Sequence, residues 1–112
     1  MSLSSQIDYA QPDLRPATVA ITFAEATAEA GVNLRTVSAC PPAPTCAIEA
    51  VALTAAGSLL VTLAGGGQAK IALPIGIPQF RRIAAVSIDV GTDVGTGGYV
   101  TAYWGSEYNK NA

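Results

Sequence analysis

The residues most capable of chemistry lie between Asp89 and Gly98. Asp89 and Asp93 border the loop Gly91-Thr-Asp-Val-Gly-Thr-Gly-Gly98. A glycine-rich loop can cradle a phosphate with its backbone N–H groups, and two carboxylates can begin a calcium site. The loop lacks the lysine and following Ser or Thr of a P-loop, and no helical pattern comes after it. Two carboxylates also fall short of the roughly six to eight oxygen ligands that calcium takes. The expectation is a connection between strands.

Other chemistries are narrowed by composition. The 112 residues include no histidine, which removes Ser-His-Asp triads, Cys-His pairs and imidazole metal sites. The eight acidic residues are scattered and form no evident general acid/base pair. No enzyme and no cofactor are expected. Cys40 and Cys46 bracket Pro41-Pro-Ala-Pro-Thr45. A small disulfide loop is one reading. Two free thiols is the favoured one, because the prolines hold the ends of the segment apart. A formal net charge of −2 gives no basic footprint for nucleic acid.

Recognition residues remain. Tyr99, Tyr103, Trp104 and Tyr108 crowd the C-terminal end. Tyrosine and tryptophan dominate interface hot spots and also stack on sugar rings. Trp104 is expected in the core, whereas Tyr103 and Tyr108 suit either a contact surface or plain cover of a sheet face. Arg81 and Arg82 are the only adjacent basic residues and suit ion pairs across a subunit contact or an ordinary solvated strand start. Near the N-terminus, Leu3, Ile7, Tyr9 and Leu14 punctuate a polar stretch holding Pro12 and Pro16.

These residues need elements to position them. Residues 1–16 read as an extended arm, either a flexible terminus or a strap lying on a neighbouring subunit. Strand alternation begins at 17–23, with Val19, Ile21 and Phe23 on one face. Residues 24–30 suit a short helix ending at Gly31, with Thr22 and Glu25 at capping-box spacing. Residues 31–46 read mostly as loop, with an extended piece at 32–37. Strands follow at 47–54 and 58–64. Gly65-Gly66-Gly67 then turns the chain into a return strand at 68–73.

Pro74, Gly76 and Pro78 enforce an irregular link. A long strand is expected over 79–90, with Phe80, Ala84, Val86, Ile88 and Val90 on the apolar face and Arg82 among them near its start. The last strand, 99–104, sets Val100, Ala102 and Trp104 against Tyr99, Thr101 and Tyr103. This pattern predicts an all-β fold: a small antiparallel β-sandwich or barrel of five to seven strands with an extended N-terminal arm. The expected organisation is an arm at 1–16, one β domain at 17–105 and a tail at 106–112. Residues 50–69 carry no charge, but the glycines cut the run below the roughly 20 residues a membrane helix needs, so no membrane contact is expected. No signal peptide is evident at the N-terminus.

Four segments carry a family resemblance. Ala56-Gly-Ser-Leu-Leu-Val-Thr-Leu-Ala-Gly-Gly-Gly67, Ile71-Ala-Leu-Pro-Ile-Gly76, Phe80-Arg-Arg-Ile83 and Thr96-Gly-Gly-Tyr-Val-Thr-Ala-Tyr-Trp104 span most of 47–104. Together this stretch resembles small virion proteins of tailed bacteriophages and phage-like gene transfer agents, of the head-spike base and capsid-decoration type. The turn at Gly65–Gly67 lacks that group's usual acidic residue, and 24–46 has no counterpart in it. The resemblance implies a non-enzymatic structural protein at the capsid or head surface, partnered by copies of itself and by a major capsid protein or other virion proteins. It carries over no catalytic residue.

Composition agrees in kind. Half the residues are hydrophobic and 12% are charged, against roughly 25% charged in an ordinary soluble domain. So few charges suit a surface that other protein covers. The candidate contact residues are Ile7, Tyr9, Leu14, Arg81, Arg82, Tyr103 and Tyr108. The competing expectation is a carbohydrate- or surface-binding β module, with Tyr99, Tyr103 and Tyr108 stacking on sugars.

Overall fold

The computed structural model describes residues 17–37 and 43–105. Eight strands and one short helix follow in the order β1 (Ala17–Ala24), α1 (Glu25–Ala30), β2 (Val32–Asn33), β3 (Ala47–Val51), β4 (Gly57–Leu63), β5 (Gln68–Leu73), β6 (Gln79–Arg81), β7 (Ala85–Ile88) and β8 (Tyr99–Gly105). They form two four-stranded antiparallel sheets. The first has the order β1-β8-β3-β6 and the second β2-β7-β4-β5. The fold is an all-β sandwich.

Alternation explains how the sheets meet. In the first sheet Phe23, Ile48, Ala50, Val100, Ala102 and Trp104 point inward; in the second, Leu59, Val61, Ile71, Leu73 and Ile88 do so. Leu34, Val94 and Ala28 plug the core from the connecting segments. Burying each larger side chain of this set contributes about 1.5–3 kcal/mol. Trp104 is fully buried, as expected, and its indole N–H donates to the Ala43 carbonyl at 2.9 Å. That bond satisfies the one polar atom of the ring.

The β4–β5 hairpin matches the expectation closely, with Leu59 opposite Ile71 and Val61 opposite Ala69. Gly66 and Gly67 both take positive φ, at 92° and 87°, which closes the turn.

The expected long strand at 79–90 is instead two strands in different sheets. β6 pairs with β3 in the first sheet, and β7 pairs with β4 and β2 in the second. The chain crosses between sheets at 82–84. Thr45 holds this crossing: its N–H donates to the Ala85 carbonyl, its hydroxyl donates to the Ile83 carbonyl, and that same hydroxyl accepts from the Ala85 N–H. Such corners are where strands change sheets in sandwiches. The break moves Phe80 off the expected inner face. It lies opposite Glu49 and points outward.

Two local expectations also change. The helix forms, but its N-cap is Ala24, with no side-chain cap. Thr22 sits within β1, and its hydroxyl meets that of Thr101 at 2.8 Å. The extended piece at 32–37 shortens to β2, because the Asn33 carboxamide accepts from Arg35 N–H and the Asn33 carbonyl from Thr36. The eighth strand, beyond the expected five to seven, comes from the division of 79–90 into two.

Candidate functional site

The two outer faces of the sandwich differ sharply. On the second sheet, Ser58, Thr62, Gln68, Lys70 and Ser87 make a mostly polar surface around half-buried Leu60, with Ala72 at its edge. On the first, register places Ala20, Thr22 and Ala24 of β1 beside Tyr99, Thr101 and Tyr103 of β8. Next come Ala47, Glu49 and Val51 of β3, then Phe80 of β6. Among these outward residues of the first sheet Glu49 is the single charge, and Ala47, Val51 and Thr101 are themselves buried. Phe80 and Tyr99 are 47% and 37% exposed. Beyond the strand ends Leu53, Ile75 and Ile77 are also exposed, around the Ala52–Ile75 bridge.

The aromatic centre of this face is held in place. The rings of Phe80 and Tyr103 meet edge to face, with centroids 6.0 Å apart and planes at 60°. The Tyr103 hydroxyl donates to Glu49 Oε1 at 3.2 Å. Partial burial, and then the nearby Glu49 carboxylate, hold the Tyr103 phenol above its ordinary pKa of 10.0. It therefore stays a neutral donor at physiological pH. A fixed, largely uncharged aromatic surface suits contact with another protein surface.

Of the residues singled out from sequence, Tyr103 lies at the middle of this face. Arg81 is exposed on β6, where its guanidinium donates to the Phe80 carbonyl and to Gln79 Oε1. Arg82 is exposed just past the end of β6. Ile7, Tyr9, Leu14 and Tyr108 lie outside the described residues, as does Cys40. Cys46 is buried at the base of β3. Phe80 was the functional candidate that periodicity hid, because its neighbours read as one continuous strand.

The polar loop from Asp89 to Gly98 is knit into the fold. Glu29 of α1 accepts from Val94 N–H at 3.0 Å and Gly95 N–H at 3.3 Å, so a carboxylate of the chain itself occupies amides that a phosphate would use. Asp93 and Ser58 exchange backbone hydrogen bonds. Asp89 accepts from Thr62, Gln68 and Ser87 at 2.7–2.8 Å. Partial burial pushes its carboxyl upward, but the hydrogen bonds from Gln68, Ser87 and Thr62 outweigh that and hold it below the ordinary 3.8. Among the described residues no three His, Cys, Asp or Glu side chains gather as a metal site. None of the described helices is long and apolar enough to cross a membrane.

Comparison with protein-family models, with curated proteins and with solved structures gives no match.

Proposed function

We propose that the chain is a virion structural protein of a tailed phage or phage-like particle. It decorates or cements the capsid, or forms a head-spike base, as a symmetric oligomer. The observation that carries this reading is the apolar, aromatic outer face of the first sheet, set against the polar outer face of the second. The segments resembling small virion proteins support it from the sequence side. Tyr103, Phe80 and Tyr99 would anchor the contact, and the near-absence of charge on this face removes the desolvation cost that charged residues impose. Neighbouring protein in the particle would cover the exposed Leu53, Ile75 and Ile77.

The test is the protein content of particles released by cells that carry the gene. Quantitative mass spectrometry of gradient-purified particles should find the chain at a fixed ratio to the major capsid protein. Its absence from particles that are otherwise complete would overturn the proposal.

A further inference from the structure

A β-sandwich of this kind has four strand edges, here β1 and β6 in the first sheet and β2 and β5 in the second. An edge strand exposes unpaired N–H and C=O groups, and folded proteins usually block them with shortness, charge or proline. Three of these edges carry such devices. β2 has only two residues and runs into the turn at Asn33. β5 carries exposed Lys70 near its middle and ends at Pro74. β6 has three residues, with Pro78 before it and Arg81 and Arg82 at its end.

β1 carries none of them along most of its length. It runs for eight residues with the sequence ATVAITFA, without charge or proline, and its one irregularity lies at its start, between Ala17 and Val19. Ala20, Thr22 and Ala24 point outward and are exposed, and they are too small to shield the backbone. On the inner side Val19 and Ile21 are only half-buried, although their register sets them toward the core. Among the described residues, no strand lies beyond β1.

We infer that β1 pairs antiparallel with β1 of a second copy across a two-fold axis. The occupant is a second copy because this edge complements itself. A two-fold sets Val19, Ile21 and Phe23 of one chain beside the same residues of the other, and no like charges meet. The pairing joins the two first sheets into one eight-stranded sheet, satisfies both open edges and covers the half-buried valine and isoleucine. It also makes the aromatic outer faces continuous over both copies. This deepens the assembly reading above and rests on it for self-association, but not for a place in a virion.

Ala20→Lys tests it, because a lysine on this edge brings two cations together at the seam while leaving the inner face unchanged. Ala72→Lys, on the already charged β5 edge, is the control. Native mass spectrometry and light scattering would follow both variants and the wild type from about 1 to 100 µM, the range for a contact smaller than a standard interface. The expected result is a dimer for the wild type and Ala72→Lys, and at least a tenfold weaker dimer for Ala20→Lys with an unchanged circular dichroism spectrum. Hydrogen exchange should show protection of alternate β1 amides that fades on dilution of the wild type.

If Ala20→Lys associates as the wild type does, the edge pairing is wrong while self-assembly stands. If the wild type is monomeric throughout, or β1 protection is independent of concentration, the edge is open or covered by its own chain and the inference is overturned. Neither of these results bears on whether the chain is found in particles.

Discussion

Thr45 offers the sharpest test of how this sandwich is held together. It is fully buried. Its hydroxyl donates to the Ile83 carbonyl at 3.1 Å and accepts from the Ala85 N–H at 3.0 Å. Thr45→Val keeps the shape and replaces the hydroxyl with a methyl group, which a hydrophobic scale alone would score as a gain. The bonding predicts a loss. The Ala85 N–H lies at a fully buried residue, and leaving it without a partner costs about 1–3 kcal/mol. The Ile83 carbonyl belongs to a half-buried residue and contributes less. The expected destabilisation is about 2 kcal/mol, or a fall in melting temperature of roughly 8–16 °C for a domain of this size. Thr45→Ser keeps both bonds and removes one methyl group, for about 1 kcal/mol. The predicted order of stability is therefore wild type, then serine, then valine. Urea titration gives the order, and hydrogen exchange at Ala85 should speed up only in the valine variant. A valine variant at least as stable as the serine variant would refute the reasoning.

Other substitutions probe the polar loop and its ties. Gly57→Ala places a Cβ on the Asp93 carbonyl and should cost about 2 kcal/mol or more by parting the Ser58–Asp93 bridge, read as a lower urea midpoint. Glu29→Ala removes the acceptor of the Val94 amide and should cost about 1 kcal/mol, with faster exchange at Val94 than at Gly95, whose N–H keeps Asp93 Oδ1 at 3.1 Å. Asp89 has a folded pKa below 3.8, so the unfolded chain takes the proton first as pH falls. Its stabilisation is full above about pH 4 and is lost as pH drops through the folded value. Asp89→Asn should be less stable at neutral pH and lose less on acidification; urea midpoints from neutral to strongly acidic pH check this, and equal slopes would contradict it.

Local pattern made some of this structure legible. The β4–β5 hairpin was readable because both halves alternate and three glycines mark the turn between them. The β8 alternation likewise placed Trp104 inside and Tyr103 outside before any contact was known. What stayed hidden depends on partners far along the chain. The break at 82–84 is held by Thr45, and apolar residues on both sides of it read as one strand. Thr22 has capping-box spacing, yet its hydroxyl is taken by Thr101 in the neighbouring strand. Phe80 was misplaced for the same reason as the break, since its facing depends on which sheet its segment joins. The contrast between the two outer faces needed the sheet order, which alternation alone does not provide.

The path of the chain between the sheets has a kinetic consequence. Six of the seven connections between successive strands change sheet, and only β4 to β5 stays within one. The sandwich is stitched rather than stacked. The strands of the second sheet all lie within 32–88, whereas the first sheet waits for β8, from the far end of the described chain, to join β1 to β3. Pairings of such long sequence separation form slowly, because loop closure is costly before the contacts reward it. A chain still being synthesised can close the hairpin first and add β7 to it, but cannot join β1 to β3 until β8 is made. Once closed, the central strands β8, β3, β7 and β4 are each paired on both sides and joined through the chain to the opposite sheet.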